Sequence, residues 1–189
     1  GKKLTFMGNE FAQFDEWNHN KGIDFMLLDY KTHGNMHKFT KDLNNLYLSS
    51  SELYEIDYSW QGFKWLTSDD RTNNVVAFER RNKAGEAIIC VANFSPIPHF
   101  GYRVGVHAGK YIEILNSNSK KYGGNGILCG DVESEDVKVN GLDSSIKINL
   151  QPNSAVYFKK KNISLTINTK FSEDTKLKHS STIEAKKIV

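Results

Sequence analysis

Residues 6–18 read FMGNEFAQFDEWN. This run gathers three amides (Asn9, Gln13, Asn18), three carboxylates (Glu10, Asp15, Glu16) and an indole (Trp17). Such a set suits a polyol. Amides and carboxylates hydrogen-bond to hydroxyls, and an aromatic ring covers the apolar face of a sugar. The apolar residues at 4–7 read as a short buried-type strand, so the polar groups fall at a strand end, where active-site rims are built. Asn9, Glu10, Gln13, Trp17 and Asn18 are the candidate rim residues. For Glu10 a structural role stands beside the rim role: accepting hydrogen bonds that fix the loop. Two further tryptophans, Trp60 and Trp65, lie in or beside connections. In GFKWL (62–66), Lys64 separates Phe63 from Trp65, so the two rings share a face if the segment is extended. Trp65 and Trp60 are candidates for stacking on a sugar at the surface, against the ordinary reading of a tryptophan as a core or interdomain residue.

Other constellations have simpler readings. His33 and His37 have the spacing of zinc ligands on a helix, but Gly34 lies between them and no acidic partner is placed nearby. YGGNG (122–126) lacks the Lys-Ser/Thr pair of a phosphate loop and reads as a structural turn. DVESED (131–136) lacks the spacing and the glycine of a calcium loop and reads as a solvated acidic loop. Asn93-Phe-Ser95 and Asn162-Ile-Ser164 fit the glycosylation pattern, but no secretory signal accompanies them. Cys90, within the apolar run ICVANF, reads as a buried thiol, and a bridge to Cys129 is not expected. No metal or other cofactor is expected.

These residues need elements to position them. The sequence has 189 residues, 39% hydrophobic and 25% charged, which is enough apolar content for a packed core. The formal net charge is +3. Residues 159–189 hold eight lysines against three carboxylates, so the rest of the chain is mildly acidic and nucleic-acid binding by the core is not expected. No run of about 18 apolar residues appears, so no membrane span is expected, and a cytoplasmic location is the expectation.

Three parts follow along the chain. In the first, residues 1–65, the strand at 4–7 leads into a long connection with the insert FMLL (25–28). A helix then presents Met36, Phe39, Leu43, Leu46 and Tyr47 on one face, with Asn35 as its cap. A single strand–loop–helix unit cannot bury its own strand on both sides. In the second, residues 66–160, about seven short strands separated by turns argue for an antiparallel sandwich. They are VVAFERR, EAIICVANF, YRVGV, KYIEIL, VKV, SIKINL and SAVYF. SIKINL alternates Ile146, Ile148 and Leu150 with Lys147 and Asn149, as a half-buried strand does. In the third, residues 161–189, ISLTI (163–167) reads as a weak edge strand, and disorder is expected beyond Lys170.

Read in order, GKKLTFMGNEFAQ, EWN, IDFMLL, HKFTKDLNNLY, ELYEID, GFKWL, VVAFERR, VANFSPIP, YRVGV and EILNSNSKKYGG resemble the bacterial 1,4-α-glucan (glycogen) branching enzymes of the α-amylase superfamily. The resemblance covers roughly residues 1–160. Departures are FDEWN, where many relatives carry a basic residue before Glu16; Phe25 and Met26, where Trp-His is common; and His107, where Pro is frequent. The lysine-rich tail has no counterpart. The resemblance implies a mainly β fold, with a C-terminal antiparallel β-sandwich preceded by the last strand–loop–helix unit of a truncated (β/α)8 barrel. It implies an α-glucan partner (glycogen or amylose) and a parent enzyme that cleaves an α-1,4 linkage and transfers the chain to a 6-hydroxyl. In that family the nucleophile Asp, the acid/base Glu and the transition-state-stabilising Asp precede the GKK segment. No catalytic residue is therefore assigned in this chain. Alone it is expected to be inactive, needing the N-terminal barrel segments. The alternatives are a stand-alone glucan-binding or structural β-domain, and a truncated product with no function of its own.

Overall fold

A computed structural model describes residues 3–161. The expected edge strand at 163–167 and the expected disorder of the lysine-rich tail lie outside the described residues.

Among the described residues the sandwich is built from eight strands. They are β1 (Phe63–Asp70), β2 (Val75–Arg81), β3 (Ala87–Asn93), β4 (His99–Val106), β5 (Lys110–Asn116), β6 (Val132–Glu133), β7 (Ser144–Leu150) and β8 (Ser154–Lys160). Six form one antiparallel sheet in the order β1-β2-β3-β8-β5-β6, and β4 pairs with β7 in a second. The core lies between the sheets. Leu66, Val75, Ala77, Ile89, Val91, Val156 and Phe158 from the large sheet meet Val104, Val106, Ile146, Ile148 and Leu150 from the small one. The alternation read in SIKINL appears as buried Ile146, Ile148 and Leu150 between exposed Lys147 and Asn149. That periodicity fixes which face of β7 turns inward, because a one-residue slip would expose the whole set.

Two strands lie where none was expected. β1 begins within GFKWL, and β6 occupies part of the acidic loop DVESED. VKV (137–139) forms no strand; only Val139 bridges to Leu142. Its neighbour Asn140 turns the chain at φ 49°, which ends the extended run. NKAG forms the expected turn between β2 and β3. Its Gly85 takes φ 79°, and the Asn82 amide oxygen accepts from the Glu86 N–H at 2.9 Å. Asn93 of the Asn-Phe-Ser pattern is buried, and its side chain is spent. It donates to the carbonyls of Ile97 (2.9 Å) and Gln151 (3.0 Å) and accepts from the Ser95 N–H (2.9 Å). Cys90 and Cys129 are free thiols, as read from the sequence.

The first part differs more from expectation. Residues 4–7 form no strand, and Leu4 is 86% exposed. A strand exists only through ladder bonds to neighbours, and among the described residues none pairs with this run. Phe25–Asp29 is a 3₁₀ turn. The helix α1 spans Lys31–Ser49 and begins five residues earlier than the Asn35 cap predicts, with Tyr30 at its N-cap and no side-chain capping bond. His33 therefore sits inside the helix, buried, with Nδ1 at 2.8 Å from the Phe11 carbonyl oxygen. That bond and the edge-on contact of Phe14 with the His33 ring tie the 6–18 loop to α1. Among the described residues no helix is long and apolar enough to cross a membrane.

Helix and sandwich are clamped at two points. At the first, the Tyr122 hydroxyl donates to the Asp42 carboxylate at 2.7 Å, Lys121 pairs with Asp42 at 2.5 Å, and Phe39 meets Tyr122 edge-on. Gly123 is required here, at φ 86°, because a Cβ would lie 2.6 Å from the Asn35 amide nitrogen. At the second, buried Asp57 receives Arg80 of β2 at 2.5 Å, Lys3 at 2.8 Å and, more distantly, the Tyr47 hydroxyl of α1 at 3.4 Å.

Candidate functional site

The 6–18 loop closes on itself through Gly8. This glycine is buried at φ 90°, and a Cβ there would lie 2.8 Å from Cβ of Gln13. The next residues, Asn9–Phe11, make a 3₁₀ turn. The loop is held by Gln13. Its Oε1 accepts from the Asp24 N–H at 2.9 Å, and its Nε2 donates to the Asp15 carbonyl at 3.0 Å. The structural role considered for Glu10 thus belongs to Gln13. Among the described residues the Glu10 carboxylate accepts no hydrogen bond that would fix the loop.

A cleft of about 410 Å³ lies over this loop, lined by Phe6, Met7, Asn9, Gln13, Phe14, Asp15, Glu16 and Trp17. Three of the five rim candidates, Asn9, Gln13 and Trp17, come together around it. Glu10 and Asn18 do not line it. Asn18 instead makes a turn, with its side-chain oxygen accepting from the Asn20 N–H at 2.9 Å. Trp17 is braced edge-on by Phe6, with ring centres 5.5 Å apart. Asp15 is tied to Lys21 at 2.6 Å, and the hydrogen bond and charge of that lysine hold its carboxyl below the usual range.

The second set lies on β1. Phe63 and Trp65 share a face, as an extended segment requires, and Phe78 joins them from β2. Phe63 stacks on Phe78 at 5.3 Å between centres, and Trp65 stands edge-on to both, at 4.9 Å from Phe63 and 5.9 Å from Phe78. The pairing of Trp65 opposite Phe78 in the ladder brings these rings together. Trp65 is 52% exposed. Trp60 is 84% exposed on the 3₁₀ turn Trp60–Gly62, outside the ring cluster. Tyr58, 83% exposed, adds a third ring beside the turn, which the sequence reading did not single out. The turn is fastened from the interior by Arg80, whose Nε donates to the Gly62 carbonyl at 3.0 Å. Beyond Trp65, a cleft of about 650 Å³ continues along β1 past Asp69, Asp70, Tyr102, Arg103 and Asn140. There Asp70 is raised by burial and lowered more by hydrogen bonds from Asn73 and Tyr102, so it stays an ionised acceptor.

Among the described residues, no three His, Cys, Asp or Glu side chains come together as metal ligands would. Both clefts present an indole and an asparagine side chain beside carboxylates.

Residues 65–161 match the family described as "Alpha amylase, C-terminal all-beta domain". The chain belongs to this family. The all-β C-terminal domain of that family accounts for the two antiparallel sheets. The chain is 43% identical over 163 residues to a "1,4-alpha-glucan branching enzyme GlgB" of Pseudomonas syringae pv. tomato, covering 85% of this chain and 22% of the relative. It is 41% identical over 162 residues to the protein of that name from Aquifex aeolicus, covering 84% of this chain and 26% of the relative. The chain thus spans about a quarter of the length of these curated relatives and corresponds to the C-terminal portion of a branching enzyme. Among solved structures, the catalytic module of the glycogen-degrading pneumococcal virulence factor SpuA overlays with a TM-score of 0.49 at 12% identity, covering 75% of this chain and 20% of that one.

Proposed function

We propose that residues 1–65 are the end of a (β/α)8 catalytic barrel and residues 66–160 the β-domain behind it, in a cytoplasmic enzyme that makes α-1,6 branches during glycogen biosynthesis. The observation that carries this reading is the 41–43% identity to branching enzymes, continuous over about 85% of the chain and across both parts. The parent reaction transfers an α-1,4-glucan segment to a 6-hydroxyl through a covalent glycosyl-enzyme. Retaining chemistry of this kind uses two carboxylates about 5–5.5 Å apart, one as nucleophile and one as acid/base. In this proposal both, and the stabilising aspartate, come from barrel segments other than the ones present in this sequence. On this reading Asn9, Gln13 and Trp17 contribute one wall of the glucan site, and the exposed 4–7 segment is a barrel strand without its neighbours. The chain alone is inactive. Incubating the purified chain with amylose and assaying α-1,6 linkages tests this: none are expected, and branch formation would overturn the assignment of catalysis to other segments.

The exposed rings favour a second reading alongside the first, in which the β-domain itself holds α-glucan. Trp65, braced by Phe63 and Phe78, offers a fixed apolar face, and Trp60 a second one nearby in sequence. Affinity electrophoresis in glycogen separates the cases. Retardation that weakens several-fold in Trp65→Ala is expected, and unchanged mobility in glycogen-containing gels counts against glucan binding by this domain.

A further inference from the structure

Between α1 and the end of the sandwich lies a separate cleft of about 420 Å³. Met36 and Phe39 of the helix form one wall, Phe94 and the Ala92–Ala155 pair of β3 and β8 the other, and Tyr122 closes one side. Its rim carries the side-chain amides of Asn35 and Asn153. The walls are fixed: Tyr122 is held by its hydroxyl to Asp42 and edge-on by Phe39, and Gly123 lies close against the Asn35 amide. Among the described residues, the amides of Asn35 and Asn153 make no side-chain hydrogen bond, so their donors and acceptors remain available.

The composition of the lining sets the class of ligand. Among the described residues, no lysine, arginine, histidine, aspartate or glutamate lines this cleft. The other clefts carry ionised groups: Asp15 and Glu16 by the 6–18 loop, Asp69 and Arg103 beyond Trp65, and Glu79, Arg81 and Lys159 at the far end of the sandwich. A charge-free site does not compensate the desolvation of an ionic ligand. Aromatic walls with carboxamides at the edge match a ligand with an apolar ring face and equatorial hydroxyls. The volume is within the range of small-ligand sites, which begins at about 300 Å³.

We propose that this cleft is a binding site for a neutral pyranose, occupied by one or two glucosyl units of an α-glucan, with Phe94 as the stacking face and Asn35 and Asn153 as hydrogen-bonding groups. The inference rests on the glucan reading above and adds a site distinct from both Trp65 and the 6–18 loop. The full 189-residue chain, labelled with ¹⁵N and titrated with maltotriose, reports each place separately through side-chain amide and indole N–H resonances. Saturable shifts of the Asn35 and Asn153 amides are expected. Phe94→Ala should weaken both sets of shifts about five- to tenfold, and Asn153→Gly, which suits the φ of 47° there, should weaken the Asn35 shifts to a similar extent, in each case without altering the Trp60 and Trp65 indoles. Shifts confined to the indoles would overturn the cleft and leave glucan binding standing. Resonances that move nowhere would overturn both. Tighter binding of glucose 6-phosphate than of glucose would overturn the assignment to a neutral ligand.

Discussion

Asp57 shows how one side chain is set by its surroundings. Burial alone pushes its carboxyl up, and the hydrogen bonds and charges of Lys3 and Arg80 outweigh burial, bringing it from 3.8 to about 2. A group whose folded value is depressed contributes stability above its unfolded value and loses it as pH falls toward the folded one. Asp57 should therefore contribute about 2 kcal/mol at neutral pH, lost between about pH 4 and pH 2. Asp57→Asn should cost about 3 kcal/mol at pH 7, since it leaves the buried Arg80 guanidinium without its counter-charge. Urea unfolding at a series of pH values checks this: the gap between the two proteins should narrow on acidification, and a constant gap would contradict it. Cys90 behaves differently. Burial pushes its thiol up to about 12, so it stays protonated and shielded. Native protein at pH 8 should leave Cys90 unlabelled by iodoacetamide, with labelling appearing only on denaturation; mass spectrometry of the tryptic peptide reports it.

At the scale of elements, α1 depends on what it is clamped to. Its solvent side carries Lys38, Lys41 and Asn45, and among the described residues it has no side-chain cap, so little of its stability is intrinsic. The Tyr122–Asp42 bond and the His33–Phe11 bond fasten it to the sandwich and to the 6–18 loop respectively. Tyr122→Phe should remove a charge-assisted hydrogen bond worth about 1–2 kcal/mol. Hydrogen exchange would then rise in α1 and remain unchanged in β2 and β3. A uniform increase across all elements would show instead that helix and sandwich unfold together. His33→Ala should loosen the loop, read as a loss of protection at the Phe11, Gln13 and Asp24 amides, whose N–H groups donate to the Gly8 carbonyl (Phe11 and Gln13) and to the Gln13 side chain (Asp24).

At the scale of the molecule, the two parts are unequally supported. The sandwich has a core shared by two sheets. The first part exposes Leu4, Phe14, Phe25, Met26 and Leu48, a large apolar surface for one side of a small domain. Amide exchange in residues 3–50 should be faster than in residues 75–158; equal protection would show that the first part is stabilised by something other than the contacts seen here. The same imbalance predicts that exposed apolar surface in the first part drives self-association at high concentration, measurable by sedimentation.

The sequence determined the elements whose signal is local. Alternation in SIKINL, the NKAG turn and the helical spacing of α1 each depend on neighbours within a few residues, and these elements are present in the structure, although the residues α1 buries are His33 and Thr40 and Met36 of its expected face is exposed. It also carried the family, through residue order along most of the chain. The tertiary structure decided the rest. No ladder forms at residues 4–7, because strands are made by partners and not by composition. Gln13, not Glu10, fixes the loop, because its partners at Asp15 and Asp24 meet only once the chain has turned back through Gly8. Phe78 reaches Trp65 through strand register, and Asp57 reaches Lys3 and Arg80 across long stretches of sequence, so neither contact has a spacing that could be read in advance. Residue type and an expected strand end proposed all five rim residues; the folded loop brings Asn9, Gln13 and Trp17 to one cleft, which Glu10 and Asn18 do not line, because side-chain direction follows from backbone conformation and not from proximity in sequence.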